Sequence, residues 1–196
     1  MNIFTWTPLE LAANIMTALC IFLAGRNNIH TWWTGIVSSA LFGVLFFNNQ
    51  LYADATLQVF FLITGVIGWI GWIGWNAKND NGVLKITTTP SDQLVTYLVS
   101  AILVAVAYGM LLHKFTDAYA PFVDSVVLTM SVVGQFMLMR KRIESWGIWL
   151  IVNTISVPLF WSRELYLTSI LYGFFWINAI VSYFQWRKIQ RLESVV

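Results

Sequence analysis

Charged residues are scarce in this chain. Lysine and arginine together number 11 and the two acidic types 9, so that 10% of the 196 residues are charged while 58% are hydrophobic. Soluble domains carry about 25% charged residues. Together with a mean hydropathy of +0.70, this scarcity excludes an ordinary soluble domain and indicates a membrane protein. The net charge of +2 is also too small to indicate a nucleic-acid partner.

Residues and motifs of enzyme chemistry are equally scarce. The single cysteine, Cys20, cannot form an intramolecular disulfide, and the two histidines, His30 and His113, fall in predicted loops. The chain contains no phosphate-binding GxxxxGK(S/T) loop, no HExxH pair and no CxxC pair. We therefore expect no enzyme activity, no catalytic residues, no metal site, no cofactor and no ATP-driven pumping.

Apolar runs long enough to cross a bilayer, which takes roughly 17 to 25 residues per helix, recur along the chain. Most are separated by short loops, and the two shortest have tryptophan near their ends, which favours the membrane interface. The pattern predicts an all-α membrane protein with seven transmembrane helices. The runs fall at 8–25, 32–48, 52–75, 93–113, 121–139, 146–161 and 165–186.

The second half of the chain repeats the first. Residues 121–186 align with residues 7–72 at a constant offset of 114, and fourteen of these sixty-six pairs are identical. Duplicated three-helix units with a site between them are a common plan of transporters. The predicted organisation is 3+1+3, with a first repeat at 1–75, a loop and linker helix at 76–120, and a second repeat at 121–196.

The basic residues predict how the helices cross the membrane. If all seven runs cross, nine of the eleven lysines and arginines fall on one side. By the positive-inside rule that side is cytoplasmic, which places the N-terminus outside and the C-terminus inside. The first and fifth helices then cross in the same direction, so the two copies are predicted to be parallel repeats.

Polar side chains within the apolar runs are the candidate binding residues, because burying them in a bilayer is costly. On the third helix a carboxylate, an amide and two indoles recur at helical spacing, which places them on one stripe. Aromatic faces beside a carboxylate suit a flat cationic or heteroaromatic ligand, and amides suit its hydroxyl and carboxamide groups. The candidate substrate-binding residues are Asp54, Gln58, Trp69, Trp72, Gln135, Trp149, Asn153, Tyr172, Trp176 and Asn178.

Each of these residues also has a purely structural interpretation. Asp54 can cap its helix, Gln58 can bond a neighbouring helix, and Gln135 and Asn178 can make interhelical hydrogen bonds. The tryptophans can form a packing core or an interfacial belt. Positions where the two copies differ favour the binding interpretation. These pairs are Asp54/Thr168, Gln58/Tyr172, Ser39/Asn153 and Gly35/Trp149.

Several short motifs surround the candidate residues. The first copy has WWTGI at 32–36, LYAD at 51–54 and GW at 68–69, and the second has WGIW at 146–149 and LYLT at 165–168. Over nearly the whole chain these motifs resemble the PnuC family of vitamin transporters, best known for nicotinamide riboside.

The resemblance implies a fold similar to that of SWEET-type sugar carriers. It implies facilitated diffusion of nicotinamide riboside, a vitamin B3 precursor of NAD, across the inner membrane of a bacterium by alternating access. A separate cytoplasmic riboside kinase would trap the cargo inside. A homotrimer in the lipid bilayer and a central site formed by the ten candidate residues are further expectations.

Other interpretations stay open. Relatives in the wider family carry thiamine, riboflavin or deoxynucleosides, and thiamine is a cation like nicotinamide riboside. A SWEET-type sugar carrier would not need the carboxylate of Asp54. A structural membrane protein, whose aromatic residues only pack helices, would bind no ligand saturably.

Overall fold

The computed structural model describes residues 7–48, 52–78, 84–115, 120–162 and 166–193. Over these ranges the chain forms seven α-helices, which confirms the predicted all-α class, and each helix covers one of the seven apolar runs. The helices are α1 (Pro8–Gly25), α2 (Thr31–Asn48), α3 (Tyr52–Lys78), α4 (Ser91–Phe115), α5 (Pro121–Met139), α6 (Ser145–Ser162) and α7 (Tyr166–Glu193).

The lengths and compositions of several helices are those of membrane-spanning helices. Four helices in the described part of the chain, α1, α4, α5 and α7, are long and apolar enough to cross a bilayer. Helices α2 and α6 have 18 residues each, which corresponds to about 27 Å at 1.5 Å per residue and lies near the lower limit for a span. The described part of α3 contains a shorter apolar segment, Leu57–Ile73.

Residues suited to a helix start lie at the beginning of α1 and α5. The Thr7 hydroxyl accepts a hydrogen bond from the Glu10 N–H at 3.1 Å, which satisfies one of the free donors at the start of α1. Pro8 and Pro121 occupy the first turns of α1 and α5, where a missing N–H costs nothing. Both helices therefore have proline in the first turn, but only α1 also has a side-chain cap.

The loops that follow α1 and α5 also share one geometry. Each helix ends in a Schellman motif, which needs a residue in the left-handed conformation just after the cap. Asn27 (φ 53°) and Lys141 (φ 49°), which lie at the constant offset of 114, adopt that conformation. The equivalent closing bonds run from the Asn28 N–H to the Leu23 carbonyl and from the Arg142 N–H to the Met137 carbonyl, at 3.0 and 2.9 Å.

A buried tryptophan pair joins the second and third helices of each copy. The rings of Trp32 and Trp72 meet edge to face at 5.3 Å and 83°, and those of Trp146 and Trp186 at 5.5 Å and 84°. None of the four side chains is more than 3% exposed. Such pairs contribute about 0.5–1.5 kcal/mol beyond the area they bury. Residues related by the sequence repeat thus hold the same local geometry.

The chain divides into two compact units, 1–84 and 85–196. In the first unit α2 packs against both α1 and α3. In the second, α6 packs against both α5 and α7, and α4 packs along α5. Helix α4 buries Ala101, Ala105 and Gly109, and small residues four positions apart allow close helix contact. The helix that links the two copies is therefore part of the second unit.

The segment that precedes α4, here called the strap (residues 85–90), lies on the α5–α6 loop. The Thr87 N–H donates to the Lys141 carbonyl, and the Ile143 N–H donates to the Thr87 carbonyl, both at 3.1 Å. These two bonds form a parallel β-bridge. The strap is thus held by backbone bonds that do not depend on side-chain identity.

Carboxylates hold both ends of the strap. Glu144 accepts hydrogen bonds from the N–H and the hydroxyl of Thr89, at 2.9 and 2.8 Å. Glu193, at the end of α7, accepts a longer bond from the Ile86 N–H at 3.4 Å. Hydrogen bonds to charged groups contribute about 1.5–3 kcal/mol each, so Glu144 is the stronger attachment.

Lys141 is buried in the loop on which the strap lies, with 6% of its surface exposed. Burial lowers the pKa of its ammonium group from 10.5 to about 8, and the nearby Glu193 carboxylate offsets part of this shift. A lysine therefore stands where the first copy has Asn27, at a cost in desolvation that asparagine does not have.

Replacing Lys141 with asparagine should flatten the pH dependence of stability. Below pH 8 the ammonium is charged in folded and unfolded protein alike, and its burial penalty is fully present. Between pH 8 and 10.5 only the folded protein loses the proton, so the free energy of unfolding of the parent chain rises with pH. Thermal unfolding from about pH 7 to about pH 10 measures the slope. Lys85→Asn, at an exposed site, is the control; equal slopes for Lys141→Asn and the parent would contradict this prediction.

Gly68 leaves the space that the Trp32 ring fills. A Cβ atom on Gly68 would lie 2.4 Å from two carbons of that ring, whereas a Cβ on Gly71 has nothing within 4 Å. Gly68→Ala should lower the free energy of unfolding by roughly 1–3 kcal/mol through overpacking. Gly71→Ala should be neutral or slightly stabilising, because alanine favours the helix. Thermal unfolding in detergent compares the two variants, and equal stabilities would argue against the fit.

Candidate functional site

The predicted stripe of α3 lies in two different environments. Gln58 is half-buried against α2, where a Cβ on Gly43 would lie 3.6 Å from the Gln58 Cβ. Trp72 is 3% exposed and packs on Trp32, but Trp69 is 36% exposed and faces out of its unit. Asp54 lies within α3, and its side chain is outside the described part of the structure.

Two of the candidate amides have no hydrogen-bonding partner in the described ranges. Asn153 on α6 is 4% exposed and Gln58 on α3 is half-buried. Buried amides are almost always bonded to protein, to water or to a ligand, so these two are the amides open to a bound molecule. Gln135 and Asn178, in contrast, each interact with another group of the protein, which fits their structural interpretation.

Trp149 fills a space that a glycine leaves between α5 and α6. A Cβ on Gly134 would lie 3.2 Å from the Trp149 Cε2 and 3.4 Å from its Nε1. The half-buried ring also packs against the core of the second unit, which includes Met137, Ile148 and Val152. Part of the Trp149 ring is therefore committed to helix packing.

Aromatic contacts fix the candidate side chains of α7. The Tyr172 ring lies 4.9 Å from the Phe160 ring and 5.5 Å from the Phe175 ring. Trp176 is 38% exposed, and its indole N–H donates to the Thr154 hydroxyl at 2.9 Å. That bond holds one edge of the Trp176 ring and leaves its exposed surface available for stacking.

Two tryptophans outside the ten candidates, Trp32 and Trp146, have buried indole N–H groups without a hydrogen-bond partner in the described residues. Each side chain is 3% exposed. An unsatisfied buried donor costs about 1–3 kcal/mol, and the same cost recurs at equivalent positions of both copies. In the sequence the two residues are identical at the constant offset and begin the WWTGI and WGIW motifs.

The candidate residues offer aromatic faces and amides to a ligand. The described residues include no group of three or more histidine, cysteine, aspartate or glutamate side chains that could hold a metal ion. The seven apolar runs also contain no lysine or arginine. Aromatic faces, unbonded amides and the absence of lysine and arginine from these runs together suit a polar ring compound that is neutral or cationic.

Comparison with known proteins places the chain among transporters. It matches the nicotinamide mononucleotide transporter family over residues 7–188. The nicotinamide riboside transporter PnuC of Escherichia coli K12 is 28% identical over 187 residues, which cover 84% of this chain and 78% of that protein. The nicotinamide riboside transporter PnuC of Neisseria mucosa is 23% identical over 205 residues, which cover 98% and 78%.

The fold is also similar to that of a solved structure. The crystal structure of the vitamin B3 transporter PnuC superposes with a TM-score of 0.73 at 20% sequence identity, over 93% of this chain and 82% of that one. The family match spans both sequence copies and confirms the resemblance to PnuC transporters. The chain therefore belongs to the nicotinamide mononucleotide transporter family, whose members are membrane transporters rather than enzymes.

Proposed function

We propose that this chain carries nicotinamide riboside across the inner membrane of a bacterium. The observation that carries the proposal is the similarity to nicotinamide riboside transporters of Escherichia coli and Neisseria mucosa over most of the length of each chain. The helices long enough to span a membrane and the two unbonded amides support it.

The absence of lysine and arginine from the apolar runs favours the riboside over the mononucleotide after which the family is named. A phosphate monoester carries about −1.5 to −2 charges at pH 7, and an unpaired charge inside a bilayer is costly. The apolar runs offer no lysine or arginine to pair with it. The riboside instead carries a pyridinium cation, which suits aromatic faces and the carboxylate of Asp54.

Each part of the proposed site matches one part of this substrate. Gln58 in the first unit and Asn153 in the second offer amides to the carboxamide and the ribose hydroxyls, and neither amide has a protein partner in the described ranges. Each unit also has an exposed indole, that of Trp69 or that of Trp176, that offers a face for stacking on a pyridinium ring, and the carboxylate of Asp54 suits the charge of that ring. The other residues of the proposed site are Trp72, Gln135, Trp149, Tyr172 and Asn178.

The transport cycle proposed for this chain is facilitated diffusion with alternating access. The sequence has no nucleotide-binding loop that could couple transport to ATP. In this cycle a separate cytoplasmic riboside kinase phosphorylates the transported riboside and so traps it inside the cell. The arrangement of helices is 3+1+3 and SWEET-like, with the N-terminus outside and the C-terminus inside, as the distribution of basic residues favours. The transporter acts as a homotrimer in the bilayer.

Calorimetry on the purified protein tests the substrate. Nicotinamide riboside should bind saturably. Nicotinamide mononucleotide should bind at least tenfold more weakly, because its phosphate would be buried without a cationic partner; a tenfold difference corresponds to about 1.4 kcal/mol. Thiamine, riboflavin and glucose serve as competitors. Failure of nicotinamide riboside to bind at high micromolar concentration would refute the substrate assignment, and displacement of bound ligand by glucose would favour a sugar carrier.

The two unbonded amides provide a second test. Gln58→Ala and Asn153→Leu should each weaken riboside binding by roughly 1–3 kcal/mol, because the substrate groups they serve would lose a buried partner. The matched control is Asn14→Leu, since the Asn14 amide already donates to the Glu10 carbonyl of its own helix at 2.8 Å. Unchanged affinity in both test variants would assign Gln58 and Asn153 to helix packing.

A further inference from the structure

One face of α7 is apolar and exposed along most of the helix. Phe174, Ile177, Val181 and Phe184 follow each other at steps of three or four residues, and each is 46–65% exposed. The buried residues of α7, which end with Trp186, lie on the opposite side. In a membrane protein an exposed apolar stripe of this kind faces lipid chains.

The same face becomes cationic at its end. Arg187, Lys188 and Arg191 are all exposed. With Phe184 and Leu192 they line a groove of about 450 Å³. The spacing of i, i+3, i+4, i+7 and i+8 places all five side chains on one side of the helix. An apolar lipid-facing surface therefore continues directly into three positive charges.

The acidic residue nearest to these cations in the sequence contacts other groups. Glu193, the closest acidic residue in sequence, accepts a hydrogen bond from Ile86 and lies beside Lys141. The Arg187 guanidinium lies 5.8 Å from the Tyr183 ring, a contact that leaves its charge in place.

The first copy has no such cluster, although it has the same helix. The positions that correspond to Arg187, Lys188 and Arg191 are Ile73, Gly74 and Ala77. The repeated fold therefore does not require the three cations.

We propose that this groove binds the phosphate headgroup of an anionic phospholipid from the surrounding leaflet. The three cations pair with the phosphate, and the acyl chains lie along Phe184, Val181, Ile177 and Phe174. Charge complementarity and the continuity of the apolar stripe with the cationic end carry the assignment, because a lipid is the ligand that has both chemistries in that order. The assignment does not depend on which substrate the chain carries.

Lipid binding to the purified full chain tests the proposal. Native mass spectrometry compares phosphatidylglycerol with phosphatidylcholine of the same acyl length. The parent should prefer phosphatidylglycerol, and the triple variant Arg187→Gln, Lys188→Gln, Arg191→Gln should bind it on the order of tenfold to a hundredfold more weakly. Raised ionic strength should reduce the parent's preference, because these charges are exposed.

Two control variants separate a local site from overall charge. Arg26→Gln, Lys85→Gln, Lys114→Gln removes three exposed charges elsewhere and should keep the preference for phosphatidylglycerol. Arg187→Lys, Arg191→Lys conserves the charge and should also keep it. An equal loss in the first control, or an undiminished preference in the triple glutamine variant, would overturn the proposal.

A third arm distinguishes a lipid from free phosphate. Inorganic phosphate at millimolar concentration should not displace bound phosphatidylglycerol or raise the unfolding temperature of the delipidated protein. If phosphate alone does either as effectively as the lipid, the groove is an anion site and the lipid assignment is wrong.

Discussion

The edge-to-face contact of two tryptophans fixes the second helix of each copy against the third. Between helices in a bilayer there is little hydrophobic driving force, so association relies on close packing and hydrogen bonds. In the first copy Trp32 packs on Gly68 so closely that no Cβ fits there. The second copy has Ser182 at that position, buried to 1% exposure, and still keeps the ring geometry of its own pair to within 0.2 Å and a degree. The pair, rather than the residue beneath it, is the conserved element of the duplication.

The two copies exchange large and small residues across one helix pair. In the first, Cys20 faces Gly35, whose Cβ would lie 3.0 Å from the Cys20 sulfur. In the second, Gly134 stands at the position of Cys20 and faces Trp149, which stands at the position of Gly35. The difference at position 35/149 predicted a specialised binding site from sequence. The structure shows that this difference also has a packing cause, because an indole at this position needs a glycine opposite.

The sequence predicts the helices well because their apolar runs are long and their loops are short. It predicts α2 at 32–48 against Thr31–Asn48 observed. The sequence does not predict the strap. This segment has no hydrophobic periodicity, and backbone hydrogen bonds hold it to a loop more than fifty residues further along the chain. For α7 the apolar run ends at 186 while the helix continues to Glu193, since its last turns are polar. Spacing alone also places Trp69 and Trp72 on one stripe, and only packing against Trp32 shows that Trp72 is interior.

The unbonded amides fit the proposed facilitated diffusion, which needs no energy source. In the proposed cycle Gln58 and Asn153 exchange a hydrogen bond to water for one to substrate. Such an exchange has a net value of only about 0.5–1.5 kcal/mol per bond, so the substrate is held firmly enough to be selected and loosely enough to leave. Amides already paired within the protein, as Gln135 and Asn178 are with other groups, would have to break those contacts first. Facilitated diffusion therefore favours a site whose polar groups the fold leaves unpaired.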